Sequence, residues 1–314
     1  MGQLTDQVGE FIGFLQVEKN YSPETVKAYR RDLSEFTAYL GDPSPEVEEI
    51  DHITIRDFLG HLQKKGNSRA SMARKLAAIR SFFRHLHRIE RIERNPARLV
   101  RTPKLAQLNP RHLTEEEVST ILDLPDLKTP LGSRDHAMLE LLYAAGLRVG
   151  ELVATNLEDI SLSQRLVKVR GKGRKERLVP FGTKAQGALR AYLRIRGDLL
   201  KKARRAHQPA ALFLSARGSR ITARSVERIL SNYVRKAALL LDVHPHLFRH
   251  SFATHLLNRG SDLRVIQELL GHESLSTTQK YTHLATGELL RTYRAAHPRA
   301  REARGGEPEA GSEE

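Results

Sequence analysis

Residues 95–112 constrain the fold more than any other segment, because they cannot continue the helices that the sequence predicts on either side. This segment contains three prolines, Pro96, Pro103 and Pro110, and its apolar residues follow no helical period. Proline removes a backbone donor and restricts the residue before it, so such a segment is typical of an extended linker. The chain has 314 residues, more than one domain usually holds. We therefore predict two domains joined by a linker at residues 96–112.

The first domain, residues 1–95, is predicted to be all helical. Ser22 and Pro23 supply an N-cap and a first-turn proline for a helix that runs to residue 40. Thr54 predicts the start of a second helix, which Gly66 closes.

A third helix is predicted at residues 68–89, with one apolar and one cationic face. The cationic face consists of Arg80, Arg84 and Arg88, spaced four residues apart. Almost no acidic residues interleave with them, which favours contact with DNA phosphates over a merely solvated surface. These three arginines are candidate DNA-binding residues.

The second domain, residues 113–300, is predicted to be mostly helical. Thr114 and Glu117 form a capping box at its start. Strand-like residues at 165–169 and 177–181 flank a glycine turn, which predicts an antiparallel hairpin. Helices are predicted at residues 134–145, from 148, and at 184–202, 223–240, 247–258 and 262–270. The predicted fold class is mainly α (α+β), with a small antiparallel sheet.

Basic residues outnumber acidic ones, 52 against 37, and give a net charge of +15. The last segment, residues 301–314, holds five Glu and two Arg and is predicted to be a disordered acidic tail. The remainder is therefore even more basic than the whole chain. Such a charge favours nucleic acid as a partner, the alternative being a diffuse basic surface.

Several classes of protein and site are disfavoured. No apolar run approaches the ~20 residues that span a bilayer, and no basic stretch followed by an apolar one marks a secretory signal, so we expect a cytoplasmic protein. The absence of cysteine excludes disulfides and a cysteine nucleophile. The chain lacks a Walker A motif, so ATP is not expected. His246 and His250 lie four apart without a carboxylate ligand, so no metal is expected.

Four segments of the second domain, taken in order, resemble the tyrosine recombinases. They are residues 145–152 (AGLRVGEL), 171–173 (GKG), 244–255 (HPHLFRHSFATH), and 269–272 with 276–283 (LLGH and STTQKYTH). Each alone is weak evidence, whereas all of them in one order are specific. Within this family the chain is most similar to the bacterial Xer group, and residues 293–300 resemble one of its two branches more than the other.

The resemblance implies a C-shaped clamp around DNA, with a SAM-like helical core-binding domain and a catalytic domain. It implies an enzyme that cuts and rejoins duplex DNA through a 3′-phosphotyrosyl intermediate and a Holliday junction, without cofactor, metal or ATP. The implied role is resolution of chromosome dimers in the nucleoid. The implied partners are a double-stranded DNA recombination site, a second Xer-type recombinase in a cyclic heterotetramer (or a homotetramer), and a septal DNA translocase.

The resemblance also assigns roles to side chains. Tyr281 is the nucleophile, and Arg148 and Arg249 hold the phosphate, a task for which bidentate guanidiniums are well suited. His246 is an acid/base partner near Tyr281, and His272 donates a hydrogen bond to the phosphate.

Lys172 is the expected general acid, and Glu151 orients the cationic groups. The like charges of Lys168, Arg170, Arg174 and Lys175 should lower the pKa of Lys172, which makes proton donation easier. Arg174 and Lys175 are further candidate DNA-binding residues.

Rival interpretations remain for both function and assembly. The chain could be a phage or transposon integrase of the same family, a type IB topoisomerase, or a non-catalytic DNA-binding protein. Residues 287–296 have the spacing of a short amphipathic helix. The resemblance implies that this helix docks on a neighbouring protomer, the alternative being that it packs on its own domain.

Overall fold

The structure, a computed structural model, describes residues 3–41, 43–104, 112–171, 176–201, 210–239, 243–271, 292–293 and 295–300. The chain divides into two compact units, Met1–Asn109 and Pro110–Glu314. Each unit has its own hydrophobic core. None of the helices that the structure describes combines the length and hydropathy of a membrane span.

The first unit is helical throughout its described residues. Its elements are α1 (Gln3–Val17), α2 (Pro23–Leu40), α3 (His52–Lys64) and α4 (Arg69–Arg88), with 3-10 helices at Val47–Glu49 and Pro96–Arg98. Phenylalanines of all four α-helices contribute to the core. The ring centroids of Phe11 and Phe82, for example, are 5.6 Å apart.

Helix capping explains where these helices begin. Ser22 accepts a hydrogen bond from the Thr25 amide at 3.3 Å, as predicted. Helix α3 begins earlier than predicted, because Asp51 and not Thr54 is its N-cap. The Asp51 carboxylate accepts from the backbone amide and the hydroxyl of Thr54, each at 2.8 Å. Helix α1 was not predicted, although the spacing of its buried apolar residues is helical.

The start of the predicted linker packs on the first unit. Ala97 and Val100 belong to its core. Arg80 donates to the Ala97 carbonyl at 3.2 Å and to the Thr102 hydroxyl at 2.7 Å, and it also donates to the Val100 carbonyl. Residues 96–102 are therefore fastened to α4.

The second unit is mostly helical. Its helices are α5 (Glu115–Asp123), α6 (Pro130–Ala144), α7 (Val149–Ala154), α8 (Thr183–Leu200), α9 (Ala223–Lys236), α10 (Pro245–Asn258) and α11 (Leu263–Leu270), with a 3-10 helix at Leu157–Asp159. Helix α6 is buried along almost its whole length and forms the centre of the core. It begins a turn earlier than predicted, because Thr129 caps it and Pro130 opens it.

A small antiparallel sheet lies beside these helices. Its strands are β1 (Ile160–Ser161), β2 (Leu166–Arg170) and β3 (Glu176–Pro180), in the order β1-β2-β3. The β2–β3 hairpin confirms the sequence prediction, with Val167 paired with Val179 and Val169 paired with Arg177. The predicted fold class, mainly α with a small antiparallel sheet, is thus confirmed.

The described part of the C-terminal segment packs on its own unit. Tyr293 is buried and its hydroxyl donates to the Ala144 carbonyl at 2.9 Å. Arg299 donates to Glu140 at 2.5 Å. The His297 ring is fully buried and stacks on the Tyr293 ring at a centroid distance of 4.8 Å. In the single chain this segment therefore completes the core around α6, while docking on a neighbouring protomer stays a prediction.

Candidate active site

The site begins at the turn between α6 and α7. Gly146 there has φ +54°, in the left-handed region, and a Cβ at this position would lie 2.5 Å from the Phe252 ring. Glycine is therefore required for the chain to turn here. Arg148 follows as the N-cap of α7, and its backbone amide donates to Glu151 Oε2 at 2.8 Å.

The buried Glu151 carboxylate is surrounded by arginine side chains. Arg148 Nη1 donates to Oε1 at 2.9 Å. Arg177 donates from Nη1 to Oε1 at 2.8 Å and from Nη2 to Oε2 at 2.9 Å. Arg249 Nη1 lies 3.9 Å from Oε2. The fold thus brings together three of the candidate residues, Arg148, Glu151 and Arg249, with Arg177 in addition.

Arg249, on α10, holds the ends of two other elements. It donates to the Gly146 carbonyl at 2.7 Å and to the Leu270 carbonyl at the end of α11. Burial, followed by the positive charge of Arg148, lowers the pKa of Arg249 to about 10. A charged group held in this way is stabilised by a nearby anion.

The cluster has an excess of positive charge. Burial by itself would raise the pKa of Glu151, but the hydrogen bonds and charge of Arg177 and the hydrogen bonds of Arg148 lower it overall, so this carboxyl is ionised at neutral pH. Among the described residues, three guanidiniums share this one carboxylate. The Arg148 side chain is 40% exposed, against 9% for that of Arg249. Arg148 is therefore open to an anion from solvent.

His246 lies on the first turn of α10 and is exposed. It is three residues before Arg249, so the two share one side of the helix. His255 and Phe252, further along α10, are buried. The His255 ring bonds to the Tyr143 hydroxyl at 2.7 Å and to the Leu113 carbonyl at 2.8 Å, which gives it a supporting role in the core.

Five predicted residues lie outside the described residues: Lys172, Arg174, Lys175, His272 and Tyr281. The cations expected to lower the pKa of Lys172 include Lys168 and Arg170, and these have acidic neighbours. Lys168 Nζ lies 3.7 Å from Asp159, and Arg170 contacts Asp159 at 3.4 Å and Glu176 at 3.0 Å. The positive field from β2 is therefore weaker than the sequence suggested.

The three arginines of α4 differ in their contacts. The donors of Arg80 are directed at residues 97–102, as described above, so the structure gives this residue a structural role. Arg84 is exposed. Arg88 is exposed and lies over the Phe14 ring, 4.4 Å from its centroid. Their contact with DNA stays a prediction.

Sequence reasoning missed Arg177. It lies on β3 in phase with the buried Val179, and its partner across the hairpin is the buried Val169. An arginine at an inward position of an alternating strand indicates a buried acidic partner, and that was the available signal. No group of three His, Asp or Glu side chains that could hold a metal occurs among the described residues.

Family models match both units of the chain. The model described as "Phage integrase family" matches residues 111–288. The model described as "Phage integrase, N-terminal SAM-like domain" matches residues 8–90. Together they match most of each unit, and the match to residues 111–288 includes the arginine cluster.

Relatives and solved structures agree with these matches. "Tyrosine recombinase XerC" of Myxococcus xanthus is 49% identical over 301 residues, 96% of this chain and 100% of the relative. That of Pelotomaculum thermopropionicum is 46% identical, over 94% of this chain and 98% of the relative. The fold is similar to that of XerH site-specific recombinase bound to palindromic difH substrate, with a TM-score of 0.67, 22% identity, and coverage of 92% of this chain and 84% of that chain.

Proposed function

We propose that this chain, which belongs to the phage integrase family and is a site-specific tyrosine recombinase, cuts and rejoins duplex DNA through a 3′-phosphotyrosyl intermediate and a Holliday junction. The observation that carries the proposal is the cluster of Arg148, Arg177 and Arg249 around the single carboxylate of Glu151.

The cluster suits a phosphodiester in its transition state. Attack at phosphorus places negative charge on the two non-bridging oxygens, and preorganised guanidiniums stabilise that charge. The Arg148 guanidinium is partly exposed, while Arg249 is buried and its pKa is lowered by that burial. In this proposal both arginines bind the scissile phosphate, and the phosphate supplies the negative charge that the cluster lacks.

Covalent chemistry accounts for rejoining without ATP. The Tyr281 hydroxyl attacks phosphorus and forms a phosphotyrosyl ester, while the 5′ oxygen leaves with a proton from Lys172. The ester conserves the bond energy, so a second 5′ hydroxyl reverses the reaction. His246 accepts the proton of the Tyr281 hydroxyl, and His272 donates a hydrogen bond to a phosphate oxygen. The family resemblance supports these four roles.

We further propose that the first unit binds the duplex with Arg84 and Arg88, and that Arg174 and Lys175 contact DNA near the hairpin. The identity with relatives named XerC supports the assignment to that branch of the Xer group. From the same resemblance we infer a cyclic tetramer with a second Xer-type recombinase, control by a septal DNA translocase, and resolution of chromosome dimers in the cytoplasm.

A plasmid assay tests the function. A supercoiled plasmid with two recombination sites in direct repeat is incubated with the chain and its candidate partner, and a plasmid without sites is the control. Resolution into two circles only when both sites are present supports the proposal. Relaxation of both plasmids would indicate a topoisomerase, and binding without a change of topology would indicate an architectural protein. Either of these results contradicts the proposal.

A further inference from the structure

Arg177 joins three elements of the catalytic unit. It lies on β3, its Nη1 and Nη2 donate to the two oxygens of Glu151 on α7, and its Nε donates to the Leu269 carbonyl on α11 at 3.0 Å. Its side chain is only 8% exposed. All three guanidinium nitrogens thus have protein acceptors, and the side chain is far less exposed than that of Arg148, which is 40% exposed.

Glu151 links Arg177 to Arg148. Each Glu151 oxygen accepts one bond from Arg177 and one bond from Arg148, the latter from the backbone amide and from the guanidinium. The planar guanidinium of Arg177 donates two parallel hydrogen bonds, which hold the carboxylate in the same plane. These two bonds therefore fix the orientation in which Glu151 can bind Arg148. Lysine has the same charge but cannot donate two parallel hydrogen bonds to a carboxylate.

The contact with α11 is equally close. Gly271 ends α11 with φ +64°, and a Cβ there would lie 3.2 Å from Arg177 Cδ and Nη1. Arg177 and Arg249 hold the consecutive carbonyls of Leu269 and Leu270. The end of α11, after which His272 follows in the sequence, is thus docked on β3 by this side chain.

We propose that Arg177 is a positioning residue for strand cleavage, which orients Arg148 through Glu151 and docks the end of α11 on the β2–β3 hairpin. The inference rests on the proposed function. It assigns Arg177 no contact with DNA. Misplacement of a catalytic group by about 1 Å can cost ~100-fold in rate. The loss should therefore appear in the rate of cleavage and not in the affinity for DNA.

The test compares Arg177→Lys with Arg259→Lys, an exposed arginine at the end of α10 whose side chain also donates two hydrogen bonds to one carboxylate, that of Glu115. Cleavage of a nicked recombination-site substrate is measured at saturating protein, together with the DNA dissociation constant and its dependence on salt. We expect Arg177→Lys to cleave about 100-fold more slowly, with unchanged affinity and salt dependence, and Arg259→Lys to cleave at the wild-type rate. Wild-type cleavage by Arg177→Lys, or a weaker dependence of its binding on salt, overturns the inference.

A double-variant cycle shows whether Arg177 acts through Glu151. If it does, Arg177→Lys slows cleavage little further in a Glu151→Gln background. Independent, multiplicative losses overturn this route. The pH dependence of cleavage is a second test. Without the two hydrogen bonds from Arg177, the pKa of Glu151 rises. The acid limb of the plot of cleavage rate against pH should therefore shift to higher pH in Arg177→Lys. An unshifted limb contradicts the inference.

Two controls keep the outcomes separate. If wild-type protein forms no covalent complex on this substrate, the proposed function fails; if it does and Arg177→Lys matches it, only the inference on Arg177 fails. If Arg177→Lys melts below the assay temperature, wild type and variant are compared at a lower temperature at which both are folded. Slow cleavage with retained DNA affinity in the variant supports the inference, and wild-type cleavage overturns it.

Discussion

Arg148 bonds to Glu151 twice, once from its backbone amide and once from its guanidinium, at 2.8 and 2.9 Å. The carboxylate that caps α7 therefore also orients the arginine side chain that is open to solvent. Helix formation and the geometry of the candidate phosphate site are thus coupled through one residue.

Replacement of Glu151 by glutamine should destabilise the second unit. It leaves Arg177 and Arg249 buried without a countercharge, and removal of one partner from a buried pair costs several kcal/mol. Because Arg148 is partly exposed, we expect a loss of about 3 kcal/mol, the lower end of that range. Urea unfolding at pH 7 measures it, and an unchanged midpoint contradicts the role given to Glu151.

The destabilisation caused by Glu151→Gln should depend on pH. The pKa of Glu151 in the folded protein is below its ordinary value of 4.5. The stability that the ionised carboxyl contributes is therefore present above pH 4.5 and is lost as the pH falls through the lower folded value. We expect the difference in unfolding free energy between wild type and Glu151→Gln to shrink on acidification. A constant difference from pH 7 to pH 3 is inconsistent with this linkage.

Gly146→Ala should disturb the turn that Arg249 holds. A Cβ at residue 146 meets the Phe252 ring at 2.5 Å, and φ is positive there. We expect a destabilisation of roughly 1–3 kcal/mol from backbone strain and the displaced ring, together with slower cleavage. Gly187→Ala in α8, where a Cβ has no atom within 4 Å, is the matched control and should be neutral or stabilising. Equal melting temperatures for wild type and Gly146→Ala would reject the steric argument.

Local signals predicted much of the fold. The Ser22 and Thr114 caps and the hairpin were recognisable because capping and turn chemistry act within a few residues. The meeting of Arg148 with Arg249 followed from the family pattern. That both arginines contact the same carboxylate, that of Glu151, became visible only in the tertiary structure.

Other features depend on contacts that are distant in sequence. Arg177 stands among basic residues in the chain, yet its acceptors come from α7 and α11. Arg80 has the spacing of a phosphate-binding row, but the chain folds back to place residues 97–102 on it. Strand β1 has only two residues and carries no periodicity of its own.

The C-terminal segment should stabilise the second unit. Arg299→Met leaves Glu140, which is fully buried, without its bonded cation, so we expect a loss of about 3 kcal/mol. The exposed Arg194→Met in α8 is the control and should change stability by at most about 0.5 kcal/mol. Thermal unfolding of the two variants measures the difference. Equal melting temperatures would show that this segment does not pack in cis in solution.

Deletion after Leu284 tests whether the same segment also docks on a neighbouring protomer. The deletion keeps Tyr281 and removes the buried Tyr293 and His297. If the segment exchanges between protomers, cooperative filling of paired half-sites falls sharply while binding to a single half-site is retained. Gel-shift titration on both substrates decides it, and unchanged cooperativity means that the segment packs only in cis.

Lys172 and Arg148 should differ in chemical rescue. If Lys172 protonates the leaving 5′ oxygen, Lys172→Ala should cleave roughly 10²- to 10⁴-fold more slowly. Sulfur in place of the bridging 5′ oxygen leaves without a proton, so this substrate should restore much of the rate. Arg148→Ala should not be rescued, because its role concerns the non-bridging oxygens. Equal rescue of the two variants would contradict this division of labour.

Covalent trapping is the most direct test that this chain cleaves DNA with Tyr281 as the nucleophile. Wild-type protein and Tyr281→Phe are incubated with a nicked suicide substrate, and the SDS-resistant complex is measured and digested to locate the DNA-linked peptide. We expect a complex for wild type, linkage at Tyr281, and loss of the complex in Tyr281→Phe while DNA affinity is retained. A wild-type level of complex in Tyr281→Phe, or linkage at another tyrosine, would contradict it.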